Sequence, residues 1–262
     1  MEWTTSEIDA HQALLAERVF QTENKWPQFK LLLKNMRDLG QQTPSDAVVI
    51  SMERTLLYGG FSLIAPFFGQ QQFISIDSSP ESADERGAYN AELVNDPRFI
   101  KVPYTRRAPI ENTGLAENSA DLILVPNLVH HVENQKEMFK QLAKTLKPNG
   151  ILYIFEPTLR ELHQIPDDYI RYTPYGMETV LKEEELEPLG FELEGGPFSA
   201  IAYCWTQALQ YFPNDKRQEM EEWFYAKHFP QLMSWDNTHT KNLVRDHTSF
   251  PVAFSIKARK PA

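Results

Sequence analysis

Cysteine is almost missing from these 262 residues: Cys204 stands alone. A single thiol excludes an internal disulfide framework and any cysteine-built metal cluster. Long apolar runs are missing too. No stretch approaches the roughly 20 residues that a spanning helix needs. The opening "MEWTTSEIDAHQ" has neither the basic flank nor the apolar centre of a signal peptide. Positive charge is in short supply, with 26 Lys and Arg against 36 Asp and Glu, a formal net charge of −10. A surface of that sign repels phosphate backbones, so nucleic acid is not expected as a main partner. These absences predict a reducing, cytoplasmic setting without a membrane span. Aromatic residues, by contrast, are plentiful at 12% and gather in the last third. The length supports a sizeable core, as one elaborated α/β domain or two.

Residues 1–45 read as a helical extension. Ile8, Leu14, Leu15 and Val19 share one face, with Ser6 as the expected N-cap. Phe29, Leu32, Leu33 and Met36 continue the pattern to a stop at Gly40. From Ala47 short apolar runs alternate with helical stretches. "AVVIS" (47–51), "QFISID" (72–77), "RFIKVP" (98–103), "ADLILVPN" (120–127), "ILYIFEP" (151–157) and "FELEGG" (191–196) are expected strands. "YGGFSLIAPFF" (58–68, bent near Pro66), residues 82–95, 134–150 and 173–190 are the expected helices between them. This alternation predicts an α/β fold: a doubly wound, mostly parallel Rossmann-like sheet of about seven strands. Residues 46–196 form that core. Residues 197–247 are a helical, aromatic insertion, and 248–262 supply an antiparallel last strand beside 191–196. Ligands of such sheets bind beyond the carboxyl ends of the strands, so the residues just after each strand are the candidates.

The stretch "ADLILVPNLVHHVENQKEMFKQLAKTLKPNGILYIFEP" (120–157) resembles the second half of class I S-adenosylmethionine-dependent methyltransferases. The resemblance rests on Asp121 opening a strand, Asn127 closing it, the pair His130-His131, and Lys147-Pro148-Asn149-Gly150 before the next strand. "SIDSSP" (75–80) resembles the strand end at which the family's acid takes the ribose hydroxyls; Asp77 fits that place, with Ser78 beside it. "IPDDYIRYTPYGMETVLKEEELEPLGF" (165–191) is similar to the "DYxRYTPxGL" segments of one branch. The resemblance implies a methyltransferase acting on a small-molecule or glycan acceptor, with S-adenosylmethionine as cofactor. It places His131 and His130 beside the methyl-transfer position as candidate bases, since an imidazole titrates near neutrality.

Two places depart from the family pattern. The first loop normally reads acid-x-Gly-x-Gly-x-Gly, because the turn needs positive φ and the ligand lies on bare backbone. With Glu53 as the acid, this chain continues Arg54-Thr55-Leu56-Leu57-Tyr58-Gly59-Gly60. Gly59 and Gly60 keep the end of the loop, while Thr55, Leu56 and Leu57 put side chains where the ligand would lie. After the third strand the expected acid is replaced by Arg106 and Arg107, which suit an anion. Two readings therefore stay open: an enzyme with an altered first loop, or a methyltransferase fold that has lost its cofactor and serves as a binding or regulatory subunit. Leucines turned into the cleft favour the second, leucines turned into the core the first.

Glu156, ending a strand on the rim, is a candidate substrate contact with Arg106. Tyr169, Arg171 and Tyr172 belong to a polar-aromatic loop, with His163, Asp167, Asp168 and Tyr175, that could close over a substrate. His130, His131, Glu156 and His163 can be drawn as a metal cluster, but no metal is expected: adjacent histidines project in different directions, and no H-x-x-x-H spacing occurs. The insertion's Tyr203, Trp205, Tyr211, Phe212, Trp223, Phe224, Tyr225, Phe229 and Trp235 suit a cap core, a hydrophobic pocket or the face of a homodimer.

Overall fold

The central strands bury both faces, and that dictates the layers around them. In β6 (Ala120–Pro126) every residue except Asp121 is buried. Leu122 and Leu124 enter one core cluster, Ile123 and Val125 the other. β7 (Leu146–Pro157) repeats the alternation, with Tyr153 and Phe155 on the first side and Leu152 and Ile154 on the second. Side chains alternate across a strand, so an apolar run of this kind needs cover on both sides. On one face the cover is α1 (Thr5–Leu14, continued by a wide turn over Leu15–Val19) and α2 (Phe29–Gln42). On the other it is α4 (Gln135–Thr145) and α5 (Pro174–Glu183), through Met138, Phe139, Leu142, Met177 and Leu181. The computed structural model describes residues 3–23, 25–54, 56–79, 91–239 and 250–262.

The remaining strands are β1 (Val48–Glu53), β4 (Gln72–Asp77), β5 (Arg106–Arg107), β8 (Glu187–Glu194) and β9 (Ala253–Arg259). The seven-stranded sheet has the order β5-β4-β1-β6-β7-β9-β8. Pairings from β5 to β7 are parallel; β9 runs antiparallel to both β7 and β8. The mostly parallel sheet with an antiparallel last strand is thus as the sequence predicts. Asp121 locks its centre: Oδ2 accepts from the Val48 backbone N–H at 2.8 Å and from Lys147 Nζ at 2.6 Å. That ties the start of β1, the start of β6 and the turn into β7 at one point.

Three local expectations need correction. The N-cap of α1 is Thr4, not Ser6: its hydroxyl accepts from the Glu7 N–H, and Glu7 returns a bond to the Thr4 N–H. Residues 58–68 form no long helix. Leu57–Tyr58 (β2) and Phe61–Ser62 (β3) pair as a tight hairpin, followed by a 3-10 turn at Ala65–Phe68 that holds Pro66. Gly59 and Gly60 both have positive φ, 57° and 84°. Two successive left-handed residues match the hand of a hairpin turn and end any helix. The expected strand at 98–103 is drawn to that hairpin instead of the sheet. Ser62 N–H donates to the Val102 carbonyl at 2.8 Å and Tyr104 N–H to the Gly60 carbonyl at 3.2 Å. The sheet strand comes later, at Arg106–Arg107, so these arginines are the strand and do not follow it. The helix expected over 82–95 lies mostly outside the described residues; Ala91–Val94 (α3) is helical.

Helices α6 (Pro197–Ala208), α7 (Asn214–Trp223) and α8 (Phe229–His239) lie between β8 and β9. Their own small core joins Ala202, Phe224 and Phe229, with Trp205 and Tyr225 against it. Asp236 of α8 accepts from the Phe198 and Ser199 N–H groups at the start of α6, both at 3.2 Å. Leu159, Pro197, Ile201, Cys204, Trp205 and Phe250 line an open apolar groove of about 680 Å³ on the outer side. Among the described residues, no helix is long and apolar enough to cross a membrane.

Candidate functional site

The parallel strands β1, β4, β6 and β7 end along one rim. Glu53 of β1 is in register with Asp77 of β4, so two carboxyl groups stand side by side there. Glu53 is fully buried. Its Oε1 accepts from Ser62 Oγ at 2.8 Å and from Ser75 Oγ at 3.1 Å, while Oε2 is buried with no partner. Burial pushes its pKa up to about 8, against the opposing pull of serine hydroxyls. Asp77 is also buried. Its Oδ1 accepts from the Ser79 N–H at 2.9 Å; its Oδ2 accepts from Arg107 Nε at 2.9 Å and Nη2 at 2.8 Å. Ser78 donates its N–H to the Glu53 carbonyl at 2.7 Å, and its hydroxyl oxygen is buried with no partner.

The first loop resolves where one of the two leucines goes. Leu56 is 1% exposed and lies in the core cluster with α1 and α2. Leu57 is half-buried in β2. Thr55 lies outside the described residues. Gly59 and Gly60 sit exposed at the hairpin tip, where the turn accounts for their conformation. Arg54 is turned to the 158–173 segment. Its Nε donates to Gln164 Oε1 and its Nη2 to Asp167 Oδ2, both at 2.9 Å, and its side chain is nearly buried. Arg106 Nη2 donates to the Thr113 carbonyl.

On the other half of the rim, the chain leaves β6 through Asn127, at φ 56°, whose N–H donates to the Phe155 carbonyl at 2.7 Å. Asparagine tolerates that conformation better than most residues. A single 3-10 turn follows, Val129–His131. Glu156 of β7 organises it. Its Oε1 accepts from the Leu128 and Val129 N–H groups, each at 2.8 Å, and its Oε2 lies 2.6 Å from His130 Nδ1. Glu156 is thus fully engaged by this turn.

The turn also corrects the expectation that the adjacent histidines diverge. Their ring centroids are 4.0 Å apart, and the ring of His163 lies 5.1 Å from His130 and 4.7 Å from His131. His130 Nε2 is 3.3 Å from His163 Nε2. Burial, reinforced by the neighbouring His130, drives the His131 pKa far below its ordinary value. Burial, then Arg160, brings that of His163 down to about 4. His163, which the sequence allowed to be drawn with the other two but did not require there, is 32 residues downstream of His131 on an irregular segment.

That segment is fastened over the turn. Tyr169 N–H donates to the His130 carbonyl at 2.9 Å, and His131 Nδ1 lies 2.5 Å from the Asp167 carbonyl oxygen. Arg171 holds Asp168 through two bonds of 2.5 and 2.9 Å and donates to the Glu161 carbonyl. The Tyr169 ring is 44% exposed, and Tyr172 packs partly buried against the α4–α5 core. Glu161 in turn accepts from the Tyr203 hydroxyl, which joins the insertion to the segment, and Arg160 stacks 4.7 Å from the Trp26 ring of the N-terminal extension.

Residues 58–154 match the family model described as a methyltransferase domain. The fold is the Rossmann-like fold of class I methyltransferases. Among solved structures, a Bacillus halodurans C-125 protein provisionally described as a methyltransferase is 14% identical, with a TM-score of 0.52 over 87% of this chain and 100% of that one. A Galdieria sulphuraria protein, provisionally a sarcosine dimethylglycine methyltransferase, is 13% identical, with a TM-score of 0.50 over 94% of this chain and 88% of that one. At this identity the likeness speaks for the fold. No curated protein matches the chain.

Proposed function

We propose that this chain is an S-adenosylmethionine-dependent methyltransferase acting on a small-molecule or glycan acceptor. The observation that carries the reading is the pair of buried carboxyl groups, Glu53 and Asp77, in register at neighbouring strand ends within a methyltransferase fold. The residues fit the cofactor in kind. Glu53 Oε2 and Ser78 Oγ are buried polar atoms without partners on the same rim, as groups awaiting a polar ligand would be. Asp77 would take the ribose hydroxyls, with Arg107 yielding part of its hold on Oδ2. Bound there, S-adenosylmethionine would supply the methyl group. His130 accepts the acceptor's proton at Nε2, and Glu156, already 2.6 Å from Nδ1, orients the ring and stabilises the resulting imidazolium. His131, kept neutral by burial, lines the acceptor position. Tyr169, Arg171 and Tyr172 hold the covering segment that shields this position from water.

Two observations favour a second reading, a fold that has given up the cofactor and serves as a binding or regulatory subunit. Asp77 is already ion-paired with Arg107, and a hairpin stands in place of the helix that normally follows the first loop. Calorimetric titration of the purified chain with S-adenosylhomocysteine separates the two. The enzyme reading expects measurable binding and a loss of at least about tenfold in Asp77→Asn, since hydrogen bonds to a charged group contribute about 1.5–3 kcal/mol. No heat and no thermal shift at about millimolar ligand, where binding is worth only about 4 kcal/mol, leaves the second reading standing.

A further inference from the structure

The geometry points to a divalent transition-metal site formed by His130, His131 and His163. One ring nitrogen from each of the three lies within 4.8 Å of the others. The orientation of the rings is what distinguishes this group from a chance cluster. In each histidine the Nδ1 edge is turned to an oxygen. His130 Nδ1 lies 2.6 Å from Glu156 Oε2, and His131 Nδ1 lies 2.5 Å from the Asp167 carbonyl oxygen. His163 Nδ1 lies 3.2 Å from the Glu161 carbonyl oxygen and 3.3 Å from Asp168 Oδ2. Oxygen acceptors on Nδ1 place the proton there and leave Nε2 as a lone-pair donor, the arrangement that outer partners impose on metal-binding imidazoles.

The Nε2 edges then have no proton to share among themselves. His130 Nε2 and His163 Nε2 stand 3.3 Å apart. Two acceptors at that distance repel unless a cation lies between them. Two nitrogens, each about 2.0–2.1 Å from a tetrahedral ion, are about 3.3 Å from one another. His131 supplies an independent observation: it is only 5% exposed, and its Nε2 is buried without a partner. A buried lone pair with no donor beside it suits a Lewis acid.

The donor set argues the class of ion. Neutral imidazoles suit zinc, cobalt, nickel, copper or iron and not magnesium or calcium, which take oxygen ligands. Three protein ligands leave a fourth tetrahedral position open, as in catalytic rather than structural sites. The site lies at the β6–β7 end of the rim, beside the position assigned above to the acceptor, so the open place faces an oxygen or sulfur of that molecule. His130 cannot act as a base while its Nε2 holds a metal. The ion therefore also decides how the acceptor's proton leaves: to His130 without it, to solvent from a metal-bound group with it. The site stands on ring geometry and does not depend on methyl transfer.

The test uses the full chain, free of any affinity tag, stripped with chelator and titrated with Zn(II) or Co(II) alone. We expect one equivalent retained after dialysis, a rise in melting temperature, and the visible absorption of low-coordinate Co(II). His163→Ala, on an irregular segment outside the core, should fold as shown by circular dichroism and lose both retention and spectrum. Glu156→Gln, a positioning change, should weaken affinity about 10–100-fold and shift the Co(II) spectrum. Substoichiometric binding by the folded wild type overturns the proposal, as does retention that is unchanged in His163→Ala. Because no nucleoside ligand is present, a negative result leaves the S-adenosylhomocysteine titration to be judged by itself.

Discussion

Replacing Glu53 by Gln changes one oxygen into an amide nitrogen and removes a titration. Glu53 is enclosed by Ser62 of β3 and Ser75 of β4, with Asp77 on the neighbouring strand end and its partner Arg107 on β5 beyond. Burial raises its pKa from 4.5 to about 8. The folded chain then holds a proton that the unfolded chain has already released. Stability from this group is complete at low pH and is lost as pH rises from about 4.5 to about 8. The loss amounts to about 1.4 kcal/mol per pH unit across that window, so about 3 kcal/mol between about pH 5 and about pH 7.5, as an upper bound. Glutamine keeps an oxygen for the two serine hydroxyls and has no proton to lose. It leaves an amide donor where Oε2 stands, at a cost that does not vary with pH. The readout is therefore the slope: urea unfolding of both proteins at a series of pH values, with the wild type losing stability relative to Glu53→Gln as pH rises. Groups far from Glu53 contribute equally in both proteins and cancel in the difference. Parallel curves for the two proteins would refute the burial argument and with it the picture of Glu53 as a neutral acid near pH 7.

Two further substitutions test the first loop. Leu56→Ala should cost about 2–5 kcal/mol by urea unfolding, as a buried leucine does, and leave S-adenosylhomocysteine affinity as it was; a gain in affinity would mean that Leu56 faces the cleft. Arg54→Ala removes the bonds to Gln164 and Asp167 and leaves a carboxylate half-enclosed, at a cost of about 2 kcal/mol. Limited proteolysis should then cut within 158–173 faster than in the wild type, and an unchanged rate would show that Arg54 does not strap the segment.

Much of the sheet was legible because its signals are local. The run Leu122–Val125 is apolar on both faces, and the period-2 split between two core clusters follows from strand geometry alone. Asp121, Lys147 and the asparagine turn at Asn127 are likewise local, and the structure gives each a physical duty at a strand end. The failures also have local causes. Residues 58–68 carry apolar spacing that suits a helix, but Gly59-Gly60 favour a tight turn, and that preference prevailed. Once the hairpin formed, it took the backbone partners of 102–104, and the third strand moved to Arg106–Arg107.

By itself the sequence determined the layer architecture and the elements that supply the rim, because burial on two faces and strand–helix alternation are written in residue order. It also determined the chemistry on offer: two carboxyl groups ending β1 and β4, two histidines after β6, a carboxylate at the end of β7. Only the tertiary structure decided which of these meet. Asp77 pairs with Arg107 because parallel register sets them side by side. Glu156 reaches across one strand to cap the histidine turn, and an irregular segment brings His163 onto His130 and His131. Such meetings depend on closures between residues about 25 to 110 positions apart. No periodicity spans distances of that kind, and the loop entropy they cost is repaid only when the whole sheet is in place.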